Sequence, residues 1–410
     1  MKTFSRVVVV GLGYIGLPTA AILASRGITV AGVDVNPNTV EAVNQGRVPF
    51  VEPALGEFVE KAVADGKLSA STETPAGEAY IVAVPTPFNA DKSANLDYIK
   101  DAAGKIAPLL QGDELLILES TSPPGTTEIM AEHIYALRPE LRESNLLFAH
   151  CPERVLPGRV MEELVTNDRI VGGITREAAE AARDLYSVFC EGEMLLTDAK
   201  TAEMAKLVEN SYRDVNIAFA NELSVISSRL GINVWELIEL ANHHPRVNIL
   251  QPGPGVGGHC IAVDPWFIVA AAPEEAQLIR QARETNDSKP NWVIEQVREA
   301  AEKRGGVQKI AALGLAFKAN IDDLRESPAL TIAGQLADEF PESSILAVEP
   351  HVSALPRALE GKTNVTFEET NAAIEAADII VLLVDHDQFK SVPATALAGK
   401  EVVDTRGLWR

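Results

Sequence analysis

Residues 7–34 constrain the fold more than any other stretch of this chain. Val7-Val8-Val9-Val10 is a β-branched run of the kind that suits a strand covered on both faces of a parallel sheet. Gly11-Leu12-Gly13-Tyr14-Ile15-Gly16 follows at once, then a helical stretch to Arg26 that stops at Gly27. A second strand, Thr29 to Val33, ends on Asp34. Strand, glycine turn, helix, strand and acid, in that order, mark a dinucleotide-binding βαβ unit. The glycines serve tight turning, close approach of backbone to a pyrophosphate, and close packing of helix on strand. The helix N-terminus offers N–H groups and a positive dipole end to the phosphates. Asp34 is placed to accept from both ribose hydroxyls, and its charge disfavours a 2′-phosphate, so the expected cofactor is NAD and not NADP. The bland alternative is a glycine turn in an unrelated α/β protein; the surrounding strands and the acid favour the dinucleotide site.

Further strands follow. Ala79 to Val84 ends in Pro85-Thr86-Pro87, Glu114 to Glu119 ends in Ser120-Thr121-Ser122-Pro123-Pro124-Gly125, and Leu146 to Ala149 ends in His150-Cys151-Pro152-Glu153-Arg154. Ligands of doubly wound sheets sit beyond the carboxyl ends of strands, which places Thr86, Thr121 and Glu153 to border the nicotinamide. For the prolines, simple loop rigidity is an equally good reading. After Gly305-Gly306 a new alternation begins, with strands at Lys309 to Leu313, Ser344 to Val348, Ile379 to Val384 and Glu401 to Asp404, and a helix from Ala329 to Glu339. It contains no GxGxxG, so no second dinucleotide is expected. With 410 residues the chain exceeds one hydrophobic core. The expected fold class is α/β: two Rossmann-like doubly wound domains joined by a long central helix, with bounds at 1–197, 198–304 and 305–410.

Between the two alternations, Thr201 to Leu230 is one helical pattern without Pro or Gly. Ala205, Val208, Tyr212, Val215, Phe219, Leu223, Ile226 and Leu230 recur at spacings of three and four, an apolar stripe that reads as core. Lys206, Asn210 and Arg213 cluster on nearly the opposite side. A solvated face and a face turned to an interdomain cleft are equal readings of that trio. Pro252-Gly253-Pro254-Gly255-Val256-Gly257-Gly258-His259-Cys260-Ile261-Ala262-Val263-Asp264-Pro265 is the most unusual segment. Its glycines let backbone N–H groups approach a ligand with no side chains in the way, and a cysteine directly after them is placed as an exposed nucleophile. Asp264, four residues on, could share a helical face with Cys260 and order a water. The usual fate of an unpaired cysteine is a buried small hydrophobe, which the neighbouring glycines disfavour here.

Composition narrows the partners. Lys and Arg total 36 against 58 Asp and Glu, a net charge of −22, which repels nucleic acid unless a local basic patch intervenes. The three cysteines, Cys151, Cys190 and Cys260, are spaced too widely for a disulfide scaffold. No apolar stretch approaches the ~20 residues that span a bilayer, and the N-terminus lacks a signal-peptide pattern, so a cytoplasmic chain without a membrane partner is expected. His150-Cys151, His243-His244 and His259-Cys260 match no zinc module and no CxxC exists, so no metal is expected. Lys318 and Arg325 read as anion contacts, with ion pairing to Asp322 or Asp323 as the bland alternative.

Taken in order, GLGYIGLP, VPTP, ESTSPPGTT, CPERVLPGR, AKLVENSYRDVNIAFANEL, GPGVGGHCIAVDPWF and FKANIDDLRESPA resemble the UDP-glucose/GDP-mannose dehydrogenase family over essentially the whole chain. Within it, Cys151-Pro152-Glu153-Arg154-Val155, His244-Pro245-Arg246-Val247-Asn248 and Gly258-His259-Cys260 look most like the branch acting on UDP-N-acetylhexosamines. Enzymes of the glucose branch usually carry an aromatic or Ser before the cysteine and a Lys-Asp further on, where this chain has His259 and Val263-Asp264. The resemblance implies oxidation of a sugar C6 alcohol to a carboxylate with two NAD, N-acetyl-D-mannosamine being the expected epimer and N-acetylglucosamine the alternative. UDP-glucose, GDP-mannose and a one-step β-hydroxyacid-type oxidation stand further off.

On the same resemblance, Cys260 carries a thiohemiacetal and then a thioester, Asp264 orients the hydrolytic water with Glu153 and Thr121 nearby, and Lys206 and Asn210 hold the oxyanion. It assigns the sugar and diphosphate to Arg154, Val155, Lys206, Asn210, Arg213, His244, Gly257 and Lys318, with Arg246 reaching into a partner subunit's site. Gly11, Gly13, Tyr14, Ile15, Gly16, Asp34, Thr86, Thr121 and Arg325 fall to NAD. A homodimer through the central helix, which covers its apolar stripe, is implied as well.

Overall fold

The computed structural model describes residues 2–258 and 260–409. Two compact units divide the chain between Glu209 and Asn210. The first holds β1 (Arg6–Val10), β2 (Thr29–Val33), β3 (Leu68–Ser71), β4 (Ala79–Val82), β5 (Leu115–Leu118), β6 (Leu147–His150), β7 (Arg169–Gly173) and β8 (Met194–Asp198). They form one sheet in the order β3-β2-β1-β4-β5-β6-β7-β8, parallel throughout except where β6 meets β7. The valine run explains itself in this setting. Val7 and Val9 enter the core on one face with Leu17, Ile22 and Leu185, and Val8 and Val10 enter the other with Ile99, Leu116 and Met130. Period-two alternation therefore buries every side chain of a strand sandwiched between helices. The helix Gly16–Ser25 is apolar all round, and Gly16 to Ala24 are all buried.

The second unit holds β9 (Lys309–Leu313), β10 (Ser344–Val348), β11 (Val365–Phe367), β12 (Ile379–Leu382) and β13 (Glu401–Asp404), an all-parallel sheet in the order β11-β10-β9-β12-β13. The fold is thus the expected α/β one, with parallel sheets at both ends of the chain and a long central helix, Ala199–Leu230. A second long helix, Gln277–Arg304, carries Pro290 within it. Among the described residues no helix is long and apolar enough to cross a membrane.

One expectation fails on the central helix. Of the stripe read as core, Val208, Tyr212, Phe219, Ile226 and Leu230 are exposed in the single chain, Tyr212 at 71%. The buried side is largely polar and includes Glu203, Ser211, Asp214, Asn221 and Ser224. Most of these groups are bonded to one another or to a neighbouring element, although the Ser211 hydroxyl and one Asp214 oxygen are buried without a partner among the described residues. Arg283 of the helix Gln277–Arg304 forms an ion pair with Asp214, and Asn286 donates to Asp214 at 2.8 Å. Asn221 donates to Asn286 at 2.8 Å and accepts from the Gly253 N–H at 2.9 Å. Burial still pushes the Asp214 carboxyl up to about 6 against the pull of Arg283. Polar burial of this kind is invisible to a pattern that sorts residues by hydrophobicity.

Candidate active site

In the first unit the glycine turn lies at the carboxyl end of β1. Gly11 has φ +97°, and a Cβ there would lie 2.5 Å from the Ala83 carbonyl oxygen. A Cβ on Gly16 would lie 1.9 Å from the Gly11 carbonyl oxygen. Gly11 and Gly16 are therefore packing requirements. Gly13 differs: a Cβ there would meet nothing within 4 Å, so its backbone is open to a ligand. Asp34 is half-buried; its carboxylate accepts from the Leu12 N–H at 2.9 Å and the Asn36 N–H at 2.8 Å, one on each oxygen, which leaves a lone pair on each for ribose hydroxyls. Tyr14 is exposed and stacks on Phe50 at 4.2 Å, and Ile15 directly precedes the helix. Beyond β4, the Thr86 hydroxyl is buried without a hydrogen-bond partner among the described residues. The loop carrying Thr121 is pinned by Ser120, whose hydroxyl donates to the Val84 carbonyl at 2.7 Å. Its far end, Gly125 and Thr127, donates two N–H groups to the buried carboxylate of Glu203. An open cradle, a half-exposed acid and an unspent hydroxyl are features that fit a dinucleotide.

Glu153, beyond β6, is buried and doubly held: one oxygen accepts the Arg154 N–H at 2.8 Å and the other faces Arg169 at 2.6 Å. Arg169 opens β7 and is itself 4% exposed. It lies 3.6 Å from the Cys151 sulfur and 3.8 Å from Glu119, over the rings of Tyr186 and Phe189. Glu119 accepts from the Tyr186 hydroxyl at 3.0 Å and from Thr19 at 3.2 Å. Burial, and then the neighbouring Glu153 carboxylate, push Glu119 up to about 8 in spite of Arg169. Burial thus favours the protonated form of Glu119, and the short contact of the guanidinium is with Glu153. Burial pushes the Cys151 thiol up to about 12, and with it the expectation of a small buried hydrophobe is met by Cys151 and not by Cys260. Sequence reasoning passed over Arg169, Glu119 and Tyr186; the one available signal was Glu119, a charge closing an apolar strand. His150 and Cys151 are successive residues and point to opposite faces, so they cannot share an ion.

Two of the proposed sugar contacts in this unit are engaged internally. Arg154 pairs with Glu209 at 2.7 Å and donates to the Asp168 carbonyl, while Val155 packs against the hydrophobic core. Lys206 is half-buried and makes no ion pair among the described residues.

In the second unit Cys260 is exposed, in the turn ahead of the helix Asp264–Ala271. The Asp264 N–H donates to the Cys260 carbonyl at 2.8 Å, an i to i−4 bond that brings the thiol-bearing turn into helical register with the acid. Asp264 is buried, and its carboxylate accepts from Asn210 at 2.5 Å. Asn210 and Asp264, distant in sequence, are thus brought together. His259 lies outside the described residues. The glycines before it have a packing use as well. A Cβ on Gly257 would lie 2.5 Å from the Glu326 carbonyl oxygen and 2.7 Å from Pro328, and Gly258, at φ +85°, lies against the Phe317 ring. These two positions make room for the chain's own 317–328 segment. On that segment Arg325 pairs with Asp323 at 2.6 Å, the bland alternative, whereas exposed Lys318 makes no ion pair among the described residues. Arg213, His244 and Arg246 are exposed, and the Arg246 N–H donates to His244 at 3.3 Å.

The open glycine turn of the first unit has the features of a nicotinamide-dependent dehydrogenase, and in the second an exposed cysteine lies one helical turn before a buried carboxylate. The chain belongs to the UDP-glucose/GDP-mannose dehydrogenase family: residues 5–190 match its NAD binding domain, 200–288 its central domain and 311–410 its UDP binding domain. It is an NAD-dependent oxidoreductase of UDP-sugars. A UDP-N-acetyl-D-mannosamine dehydrogenase of Salmonella typhi is 54% identical over the full length of both chains. An NDP-N-acetyl-D-galactosaminuronic acid dehydrogenase of Ralstonia nicotianae is 55% identical, covering 99% of this chain and 96% of that one. Among solved structures, the UDP-D-ManNAc dehydrogenase of Pyrococcus horikoshii is 38% identical with a TM-score of 0.88, covering 99% of this chain and 96% of the other.

Proposed function

We propose that this enzyme oxidises the C6 alcohol of UDP-N-acetyl-D-mannosamine to the corresponding uronate in two NAD-dependent steps, through an adduct on Cys260. The observation that carries the reading is the exposed Cys260 in register with Asp264, itself held by Asn210 at 2.5 Å. NAD, when bound, supplies the acceptor for one hydride in each oxidation. After the first, the Cys260 sulfur bonds to the aldehyde carbon and the thiol proton passes to the aldehyde oxygen, giving a thiohemiacetal. That carbon again carries a C–H and an O–H, so a second hydride and a proton leave and a thioester remains. Water aligned by Asp264 adds to the thioester carbon, the C–S bond breaks, and carboxylate and thiol are released. Lys206 and Asn210 hold the oxyanion, and Glu153, paired with Arg169, takes a proton in the exchange.

The diphosphate and sugar fall to Arg213, His244, Gly257 and Lys318, with Arg154 and Val155 bordering them. The domain division we propose is 1–197 for NAD, 198–304 for the thiol and subunit contact, and 305–410 for the UDP group. The exposed stripe of the central helix supports a homodimer in which Arg246 serves the partner's site; light scattering behind size exclusion tests it. A second reading, the N-acetyl-D-galactosaminuronic series, has the support of the relative at 55% identity. Purified enzyme, NAD and a panel of UDP- and GDP-sugars separate the two, the preferred sugar yielding two NADH per molecule. Cys260→Ser should yield no uronate with NAD binding intact. One NADH per sugar in the wild type, or full turnover by the variant, removes the covalent scheme.

A further inference from the structure

The two sheets repeat one another. β3-β2-β1-β4-β5 and β11-β10-β9-β12-β13 have the same order. Gly11 donates to the Val33 carbonyl and Gly314 to the Val348 carbonyl, both at 2.8 Å. The next residue in each copy donates to an acid: Leu12 to Asp34 at 2.9 Å, Leu315 to Glu349 at 2.7 Å. Register sets Val10 beside Val82 and Leu313 beside Leu382, so Thr86 and His386 hold matching places beyond their strands. In the first copy the acid and the hydroxyl keep bonding capacity for a ligand. In the second they are spent.

Glu349 and His386 are buried and face each other at 3.0 Å, from carboxylate to Nε2. Glu349 also accepts the N–H groups of Ala316 at 2.9 Å and His351 at 3.1 Å. His386 Nδ1 accepts the N–H of Asn320 at 2.9 Å, a residue at φ +62° whose side chain accepts the Asp387 N–H at 3.0 Å. An accepting Nδ1 fixes the tautomer, with the proton on Nε2 aimed at Glu349. Burial pushes the Glu349 carboxyl up, and the bonds from His386, Leu315 and Ala316 outweigh it and hold it below the ordinary value. Glu349, His351 and His386 offer three ligand atoms within 4.8 Å of one another. A metal on Nε2, however, moves the ring proton to Nδ1, against the Asn320 N–H, and the network is complete without one.

What the pair holds is the loop from Gly314 to Ser327. Its base is tied by Phe317 to the Asp323 carbonyl at 3.1 Å and by Ser327 to the Leu315 carbonyl at 2.7 Å. Its other anchor is His386 on Asn320, two residues from Lys318, which makes no ion pair among the described residues. We infer that His386 and Glu349 are positioning residues that present Lys318 to the diphosphate of the UDP-sugar: the counterparts of the first repeat's ligand-facing groups, turned inward to brace the anion loop of their own repeat. The inference rests on the assignment of Lys318 to the diphosphate.

Calorimetric binding of UDP to the full-length enzyme tests it with three variants. His386→Asn keeps an acceptor near the Nδ1 position, and His386→Gln keeps a donor near Nε2 and loses the bond to Asn320. Loss of one hydrogen bond at the anchor is expected to weaken UDP about tenfold in His386→Gln and to leave His386→Asn within about threefold of wild type. Equal affinities for all three proteins, or the reverse order, overturn the positioning role. Lys318→Ala tells which premise has failed: unchanged UDP affinity in that variant overturns the Lys318 assignment and the inference with it. Weakened UDP binding there, together with a normal His386→Gln, overturns the positioning role alone. Thermal unfolding of each variant separates a general loss of fold, which would weaken NAD and UDP binding together.

Discussion

Glu153 and Arg169 form an ion pair at 2.6 Å with both side chains almost wholly out of water. Such a pair is costly to break, because the surviving charge is left buried. Arg169→Met should destabilise the fold by about 3–5 kcal/mol, read as a lower urea midpoint. Arg169→Lys keeps the charge but not the planar fork that reaches Glu153, Cys151 and Glu119 together, and should fall between.

The same cluster sets a pH dependence. Glu119 titrates at about 8 against an ordinary 4.5, so between these values the folded chain keeps a proton that the unfolded chain has lost. Its contribution is therefore complete below about pH 4.5 and is lost as pH rises through about 8. The slope approaches roughly 1.4 kcal/mol per pH unit. Glu119→Gln should flatten that decline in urea unfolding measured from pH 5 to 8.5; an unchanged slope shows that another group is responsible.

The proposed ribose contact of Asp34 makes it the test of NAD selectivity. Asp34→Asn keeps the shape and removes the charge that strengthens the ribose bonds. The KM for NAD should rise about tenfold, the worth of one charge-assisted hydrogen bond, and discrimination against NADP should narrow. Initial rates with both cofactors read the two effects.

Gly257→Ala probes the cysteine loop. The added Cβ meets backbone at Glu326 and the ring of Pro328, neither of which yields easily. Turnover should drop at least about tenfold, as misplacing a nucleophile by an ångström costs more than that. NAD binding, followed by quenching of protein fluorescence, should hold. An active Gly257→Ala enzyme would show that the loop has slack.

Local chemistry made the nucleotide site readable in advance. Gly11, Gly16 and Asp34 act within one βαβ unit, where short-range geometry decides both packing and ligand contact, and the valine run announced a sheet covered on both faces. Edges and polar segments were not readable. β3 and β7 went unrecognised because short strands with Ser, Gly and Arg carry little pattern, β11 because it is three residues long, and β8 because it runs directly into the central helix; the helix Gln277–Arg304 hid behind its charges and Pro290. The central helix was found almost to the residue, yet its apolar stripe is exposed in the single chain, because burial depends on what another helix brings to it.

Taken alone, the order of residues determined the α/β class, the NAD crevice, the thiol after the glycines and the membership of a dehydrogenase family, all features written in contiguous segments. Tertiary structure decided the rest: that the Arg169 guanidinium pairs with Glu153, that Asn210 meets Asp264, and that Glu349 and His386 close on each other. Those partners lie between 16 and 54 residues apart. Which distant polar groups meet is set by the packing of sheets and helices, and no local pattern encodes it.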